Sequence, residues 1–332
     1  MNQTATNIEK FNFFDTIYKY AGVVVVLIFV FGALLNLFIL YIFLSDRGFQ
    51  KTTYKLFLVS VISDIMSTAT SMIGYSQIID QRTDYYGGKM VCSIGLYFLY
   101  SSYGISALNL CIIGLDRYFA IVKPFSSFYR SHKKSVIILG ESLVWLVSMT
   151  LNLPFLMIIT AHHNDTMLCD FQDLNTTTRA YLVLFSVVFY VIPTISIAII
   201  YSKIIAFQQS YVRPGEFLGY QRRIERTMRR RFIRMLCKIT SCYILLAWPN
   251  FATLIGIAIT GHTIIMIRQE STIAFFFLFF SITTTTSISI LNPIIYLKYD
   301  IYVRIRAINI LKQILNCRCK KHHRSINLDA PN

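Results

Sequence analysis

The chain has 332 residues, 55% of them apolar or aromatic and 14% charged, against about 25% charged in an ordinary soluble domain. That deficit excludes a soluble globular protein, and the high apolar content excludes disorder. The formal charge of +16 calls for an anionic partner, nucleic acid or a membrane face, and the positions of the basic residues decide which.

A membrane-crossing helix needs about 20 mostly apolar residues. Seven runs qualify: 23–43, 56–79, 91–115, 136–159, 181–200, 235–259 and 273–297. They predict an all-α membrane protein, a bundle of seven transmembrane helices. The first 19 residues hold Glu9, Lys10, Asp15 and Lys19. They lack the basic start and short apolar centre of a cleaved leader, so the first run is read as a retained span. The chain then divides into an N-terminal segment (1–22), the seven-helix domain (23–297), a juxtamembrane helix (298–316) and a tail (317–332).

Lysines and arginines orient the bundle. Of the 32, 26 lie with the segments that follow the first, third, fifth and seventh spans, which sets the C-terminus in the cytoplasm and the N-terminus outside. With the acids included, the inner side carries +20 and the outer side −2. The basic excess is a membrane-orientation signal and requires no nucleic acid. Three glycosylation sequons, at Asn2, Asn164 and Asn175, all fall on the outer side. Cys92 and Cys169 also stand outside, in oxidising surroundings, where a disulfide between them is expected. Cys111, Cys237 and Cys242 read as small core residues. Cys317 and Cys319 follow a basic inner stretch and read either as palmitoylation sites or as free thiols.

Polar groups inside spans mark the bundle interior. Asp64 is the clearest, with Asn36, Ser106, Asn109, Ser289 and Asn292 as companions. Such a set either holds a small cation or proton, or forms a hydrogen-bonded plug. Pro154, Pro193, Pro249 and Pro293 fall in the fourth to seventh spans and predict kinked helices able to pivot.

Asp116-Arg117-Tyr118 ends the third span, and Asn292-Pro293-Ile294-Ile295-Tyr296 lies in the seventh. Asn36, Asp64, Trp145, Pro193, Tyr201, Pro249 and the 25-residue spacing from Cys92 to Arg117 accompany them. This pattern resembles the rhodopsin-like (class A) family of G-protein-coupled receptors, over residues 32–319. The resemblance implies a plasma-membrane receptor that binds an extracellular ligand and activates a heterotrimeric G protein. It has no cofactor beyond an allosteric sodium ion at Asp64, Ser106, Ser289 and Asn292. It further implies activation through Asp116, Arg117, Tyr118, Tyr201, Asn292, Pro293 and Tyr296. A short amphipathic eighth helix along the inner leaflet completes the expectation, with Tyr302, Ile305, Ile308 and Ile314 apolar and Arg304, Arg306 and Lys312 basic.

Departures from the family are equally informative. The stretch that usually carries a Phe, a Cys and a Trp before the helix-six proline reads Tyr243-Ile244-Leu245-Leu246-Ala247-Trp248-Pro249. The tryptophan has moved one place on, roughly 100° around the helix. Arg229 replaces the helix-six acid that many members pair with the helix-three arginine, and Ile288 replaces a polar group of the sodium site. A resting state held less tightly than in relatives is expected.

Leu99 stands where amine receptors carry an Asp, and Thr286 where opsins carry the retinal lysine, which excludes amines and retinal. Leu99, Tyr100, Tyr103 and Trp248 are candidate ligand contacts for a peptide or apolar small molecule, and Phe275, Phe279 and Phe280 offer further aromatic surface. Asp165, Asp170 and Asp173 give the second outer loop an acidic cast, suited either to a basic peptide or to a solvated surface. Arg222, Arg223, Arg226, Arg229, Arg230, Arg231 and Arg234 face the G protein or anionic membrane lipids. The rival reading is a seven-helix transporter or ion channel with Asp64 as its cation site. An enzyme is not expected, because His162 and His163 stand without a nucleophile and base set.

Overall fold

The structure, a computed structural model, describes residues 2–80, 84–162, 165–210 and 220–326, with the backbone path alone at 2–15, 80, 128, 165–167, 209–210, 220–226, 228–229 and 315–326, so the side chains of Asp165, Arg222, Arg223 and Arg226 lie outside the described residues. Asn164 lies outside the described residues, as do the side chains of Asn2, Cys317 and Cys319.

Among the described residues, seven helices are long and apolar enough to cross a membrane. Helix one is Asn2–Ser45, helix two Thr52–Asp80, helix three Tyr85–Ile121 and helix four Ser127–Asn152. Helix five joins Thr176–Ser186 to Ile192–Ser210 through a π turn at Val187–Val191. Helix six is Tyr220–Thr260, helix seven Thr272–Tyr299 and helix eight Ile301–Ile326. Helix three is the most buried of the seven and packs on helices two, four and five. Helices six and seven pair, and helix seven returns to helices one and two. Apolar side chains such as Leu27, Leu34, Leu146 and Ile195 point outward, where a bilayer solvates them.

Proline and glycine shape this packing. Helix four stops at Asn152, and Pro154 begins a separate turn, Phe155–Ile158. Pro249 and Pro293 stay inside helices six and seven. A Cβ on Gly104 would lie 2.5 Å from the Phe189 ring, so only glycine lets helices three and five approach this closely. Gly261, at φ 74°, ends helix six in the left-handed conformation that glycine tolerates.

One feature departs from the all-helical expectation. Strands β1 (Ile159–His162) and β2 (Asp165–Phe171) form an antiparallel hairpin over one end of the bundle, with Ala161 opposite Cys169. Ile159, Ala161, Leu168 and Phe171 are buried beneath it. Strands of four and seven residues beside an apolar span give too short an alternation to be read. Cys169 is bonded to Cys92 at the start of helix three, closing a separation of 77 residues as expected.

The acidic reading of this loop needs correction at Asp170. Its carboxylate is buried and accepts the N–H groups of Ile264 at 2.8 Å and Ile265 at 3.2 Å. These begin a short helix, Ile264–Glu270, between helices six and seven. Asp170 therefore joins two connections by satisfying a helix N-terminus and is not presented to a ligand. Asp173 remains exposed.

Asp170→Ala is expected to lower the stability of the detergent-purified protein by about 1–3 kcal/mol, because three backbone donors, the N–H groups of Phe171, Ile264 and Ile265, lose their acceptor. A thermal melt checks this against the exposed Asp173→Ala, which should melt like the wild type. Cys92→Ser and Cys169→Ser should each cut cell-surface expression sharply, read by surface labelling.

Candidate functional site

At the hairpin end a cavity of about 130 Å³ opens among helices one, two, three and seven. Tyr18, Tyr75, Phe275 and Phe279 form aromatic walls, and the Cys92–Cys169 bridge lies over it. Among the described residues no Asp, Glu, Lys or Arg lines it. Its hydrogen-bonding groups are few: Tyr75 shares a 2.7 Å hydroxyl contact with Thr283, and the buried Ser71 hydroxyl has no partner among the described residues. Leu99 borders both this cavity and a deeper one of about 20 Å³.

Tyr100 and Tyr103 line the deeper cavity, Tyr100 donating to Asn250 at 3.3 Å. Trp248, expected beside them, is 49% exposed on the outside of the bundle and lines neither cavity. Its one-place shift carries the indole about 100° away from the interior, and Ala247 takes the fully buried position. Phe275 and Phe279 face inward as expected, whereas Phe280 is exposed.

Asp64, Ser106 and Ser289 meet at the floor of the deeper cavity. Asn292 donates to the Asp64 carboxylate at 2.9 Å, and Ser289 adds a second hydrogen bond. Ser106 shares a 2.6 Å hydroxyl contact with Ser63. Asn109 turns instead to helix two, donating to the Leu56 carbonyl and the Ser60 hydroxyl, both at 2.8 Å. The space suits a single water-sized species. Its donors are oxygens, and the buried Oδ1 of Asn292 has no partner among the described residues.

The opposite end of the bundle centres on Arg117. Its guanidinium pairs with Asp116 and donates to Thr53 of helix two. Asp116, 1% exposed, also accepts Tyr129 at 2.8 Å and Lys133 at 2.6 Å. Three donors thus hold one buried carboxylate, and Coulomb attraction from two cations offsets its desolvation. Tyr118 packs half-buried beside this group. Tyr201 and Tyr296 are buried and make no hydrogen bond to Arg117 among the described residues. Tyr296 rests on the Phe57 ring, 5.2 Å between centroids, one turn beyond Pro293.

Helix six reaches Arg117 by a route the sequence did not show. The side chain of Arg229 lies outside the described residues, but the guanidinium carbon of Arg117 sits 5.3 Å from the centre of the Phe232 ring. Arg117 and Phe232 border a cavity of about 400 Å³ with Tyr54, Arg231 and Asp300.

Asp300 was likewise missed, although an acid directly before an amphipathic run is a start signal for a helix. It caps helix eight by accepting Tyr302 N–H at 2.9 Å and Val303 N–H at 3.1 Å, and it takes the Tyr54 hydroxyl at 3.1 Å. Burial raises its carboxyl above the usual range, and these three bonds pull the other way. Helix eight itself follows the expected pattern, with Val303, Ala307 and Ile310 buried and Tyr302, Ile305 and Ile308 facing out. Asp300→Ala should cost about 1–2 kcal/mol of stability and free helix eight, measured as faster amide hydrogen exchange over 301–310 than in the wild type.

The comparisons with known proteins agree with this geometry. A family model described as "7 transmembrane receptor (rhodopsin family)" matches residues 35–296. Similar proteins include mouse melanopsin, 25% identical over 83% of this chain and 53% of its own length. Human cholecystokinin receptor type A is 28% identical over 54% of this chain and 43% of its own. The Drosophila melanogaster neuropeptide CCHamide-1 receptor is 27% identical over 60% of this chain and 42% of its own. The chain spans about half the length of the curated relatives it matches. With seven apolar helices, Asp116-Arg117-Tyr118 at one end and the stapled hairpin at the other, this multi-pass membrane protein belongs to the rhodopsin-like family of seven-transmembrane receptors.

Proposed function

We propose that the protein binds an extracellular peptide through the cavity under the hairpin and activates a heterotrimeric G protein at the Arg117 end. The observation that carries this reading is the pairing of an uncharged aromatic cavity at one end with a caged arginine at the mouth of a second cavity at the other. The hairpin end is outside, as the basic residues near Arg117 indicate.

The cavity selects the ligand's chemistry. Aromatic walls and one unpartnered hydroxyl at Ser71 suit an uncharged aromatic or aliphatic group with one hydrogen-bonding atom. Relatives named for cholecystokinin and a neuropeptide favour a peptide as its carrier. Retinal is disfavoured despite the similarity to melanopsin, since Thr286 offers no amine for a Schiff base.

At rest, Asp116 and Phe232 hold Arg117. On activation helix six moves away, and Arg117 turns toward Tyr201 and the C-terminal helix of the G protein, with Tyr296 swinging about Pro293. Its charge persists in either position. An agonist drives this step only through better binding to the open state. Sodium fits the Asp64, Ser106, Ser289 and Asn292 oxygens and would favour the closed state. The channel alternative is weaker, because no described residue lines both the 20 Å³ and the 400 Å³ cavities.

Cells expressing the chain are to be screened with short peptides carrying aromatic or aliphatic ends, reading second messengers. A response that Arg117→Ala abolishes at equal surface level supports the reading, and one that survives it overturns the mechanism. Phe232→Leu removes a cation–π contact of about 0.5–2 kcal/mol and should raise ligand-free signalling severalfold. Sodium chloride should raise the melting temperature of the purified protein above that in choline chloride. Asp64→Asn should remove that difference.

A further inference from the structure

Two tyrosines join helices five and six where proline has opened helix five and lies one turn beyond the contact in helix six. Pro193 has no N–H to offer the carbonyl four residues earlier, that of Phe189, and the π turn Val187–Val191 lies over this gap. The Phe189 carbonyl accepts instead the hydroxyl of Tyr243 from helix six, at 3.0 Å. In return, Tyr190 of helix five donates to the Ile244 carbonyl at 3.1 Å, next to the Leu245 carbonyl whose helical donor Pro249 removes. The two bonds run in opposite directions between adjacent residues, Phe189–Tyr190 and Tyr243–Ile244. Each helix thus supplies one hydroxyl and accepts the other's.

We infer that this reciprocal clasp of Tyr190 and Tyr243 holds helix six against helix five in the resting receptor and takes the place of the missing helix-six tryptophan. The inference rests on the receptor reading above for its consequence, but not for its geometry. Tyr243 stands where the family usually has phenylalanine, so its hydroxyl is an addition of this chain. Ala247 leaves no large side chain at the position the tryptophan would fill. One turn to either side of it, Tyr243 and Phe251 present their rings to Tyr103 at 4.9 and 5.2 Å between centroids.

The clasp is also in contact with the ligand end. Tyr100 meets Phe185 at 5.2 Å, Phe185 meets Phe251 at 5.7 Å, and Phe251 stacks on Tyr190 at 5.1 Å. A ligand that displaces Tyr100 or Leu99 therefore presses on rings that bear directly on both hydroxyl donors. The Phe189 carbonyl has lost its own helical donor to Pro193, so breaking the Tyr243 bond takes away its replacement, and the clasp has two discrete states, made and broken. That makes Tyr190 and Tyr243 positioning residues for helix six.

The test measures helix separation directly. Spin labels on Ser202→Cys and Arg234→Cys, both exposed near the Arg117 end, report the distance between helices five and six in the full chain. All cysteines outside the disulfide are replaced beforehand. Tyr190→Phe and Tyr243→Phe keep the rings and remove one bond each. Either should enlarge the longer-distance population roughly three- to tenfold, the weight of one hydrogen bond. Tyr181→Phe is the control, since it also loses a tyrosine–carbonyl bond, to Leu151 at 2.9 Å, but not one to helix six. Wild-type distances in both clasp variants overturn the proposal, as does an equal shift in Tyr181→Phe. Ligand-free second-messenger output should rise with the distance shift. A shift without that rise leaves the clasp standing and counts against the coupling reading.

Discussion

The bilayer's refusal to solvate a bare carbonyl governs how this bundle is joined. Each proline in a span removes an N–H donor, and within a membrane only protein can replace it. Pro293 frees the Ser289 carbonyl, and Asn36 of helix one donates to it at 2.8 Å. Pro193 frees that of Phe189, which takes Tyr243. Near Pro154, the Leu151 carbonyl takes Tyr181 of helix five. Beside the Leu245 carbonyl that Pro249 frees, the neighbouring Ile244 and Leu246 carbonyls, which keep their own helical donors, take Tyr190 and Thr285 as additional partners. The surroundings of the four prolines are thereby also places at which neighbours are tied, one to seven, four to five, five to six and six to seven.

Carboxylates do the complementary work on N–H groups. Asp170 serves the helix that begins at Ile264, Asp300 serves helix eight, and Asp84 caps helix three through Gly87 N–H at 3.0 Å. Asp64 and Asp116 are different in kind. Asp64 gathers side-chain amide and hydroxyl donors in the middle of the bundle, whereas Asp116 gathers two cations and a phenol at its end. A charge among neutral dipoles invites a small cation, and a charge between cations fixes an arginine. The two acids therefore act as a candidate ion site and a latch.

Much of this was legible in the sequence, because membrane crossing is a composition signal and because Asp116-Arg117-Tyr118 closes the third span while Asn292-Pro293 lies inside the seventh. The seven spans followed from local pattern, the Cys92–Cys169 bridge from the shared outer location of the two cysteines, and the grouping around Asp64 from polar residues within spans together with the family resemblance. What escaped depended on direction around a helix or on partners far along the chain. Trp248 was placed near the ligand by its neighbourhood in sequence, yet one residue of rotation sends it to lipid. Phe232 and Lys133 were invisible as partners of Arg117 and Asp116, since 115 and 17 positions separate the pairs and neither belongs to a motif. Asp170 read as surface charge because an acid in a loop gives no hint that a distant helix start will descend on it.

The lost helix-six acid and the displaced tryptophan point to a single physical trade. Both are devices by which relatives hold helix six, one through charge at the inner end and one through bulk near the ligand. Here the inner device has become a cation–π contact at Phe232 and the central one a pair of phenol hydroxyls on carbonyls. A cation–π contact is weaker and less directional than a buried bidentate ion pair. Hydroxyl bonds to carbonyls in a dry interior are strongly directional. On the proposed reading, control of helix six moves away from the Arg117 end and into the middle of the bundle, closer to the cavity under the hairpin.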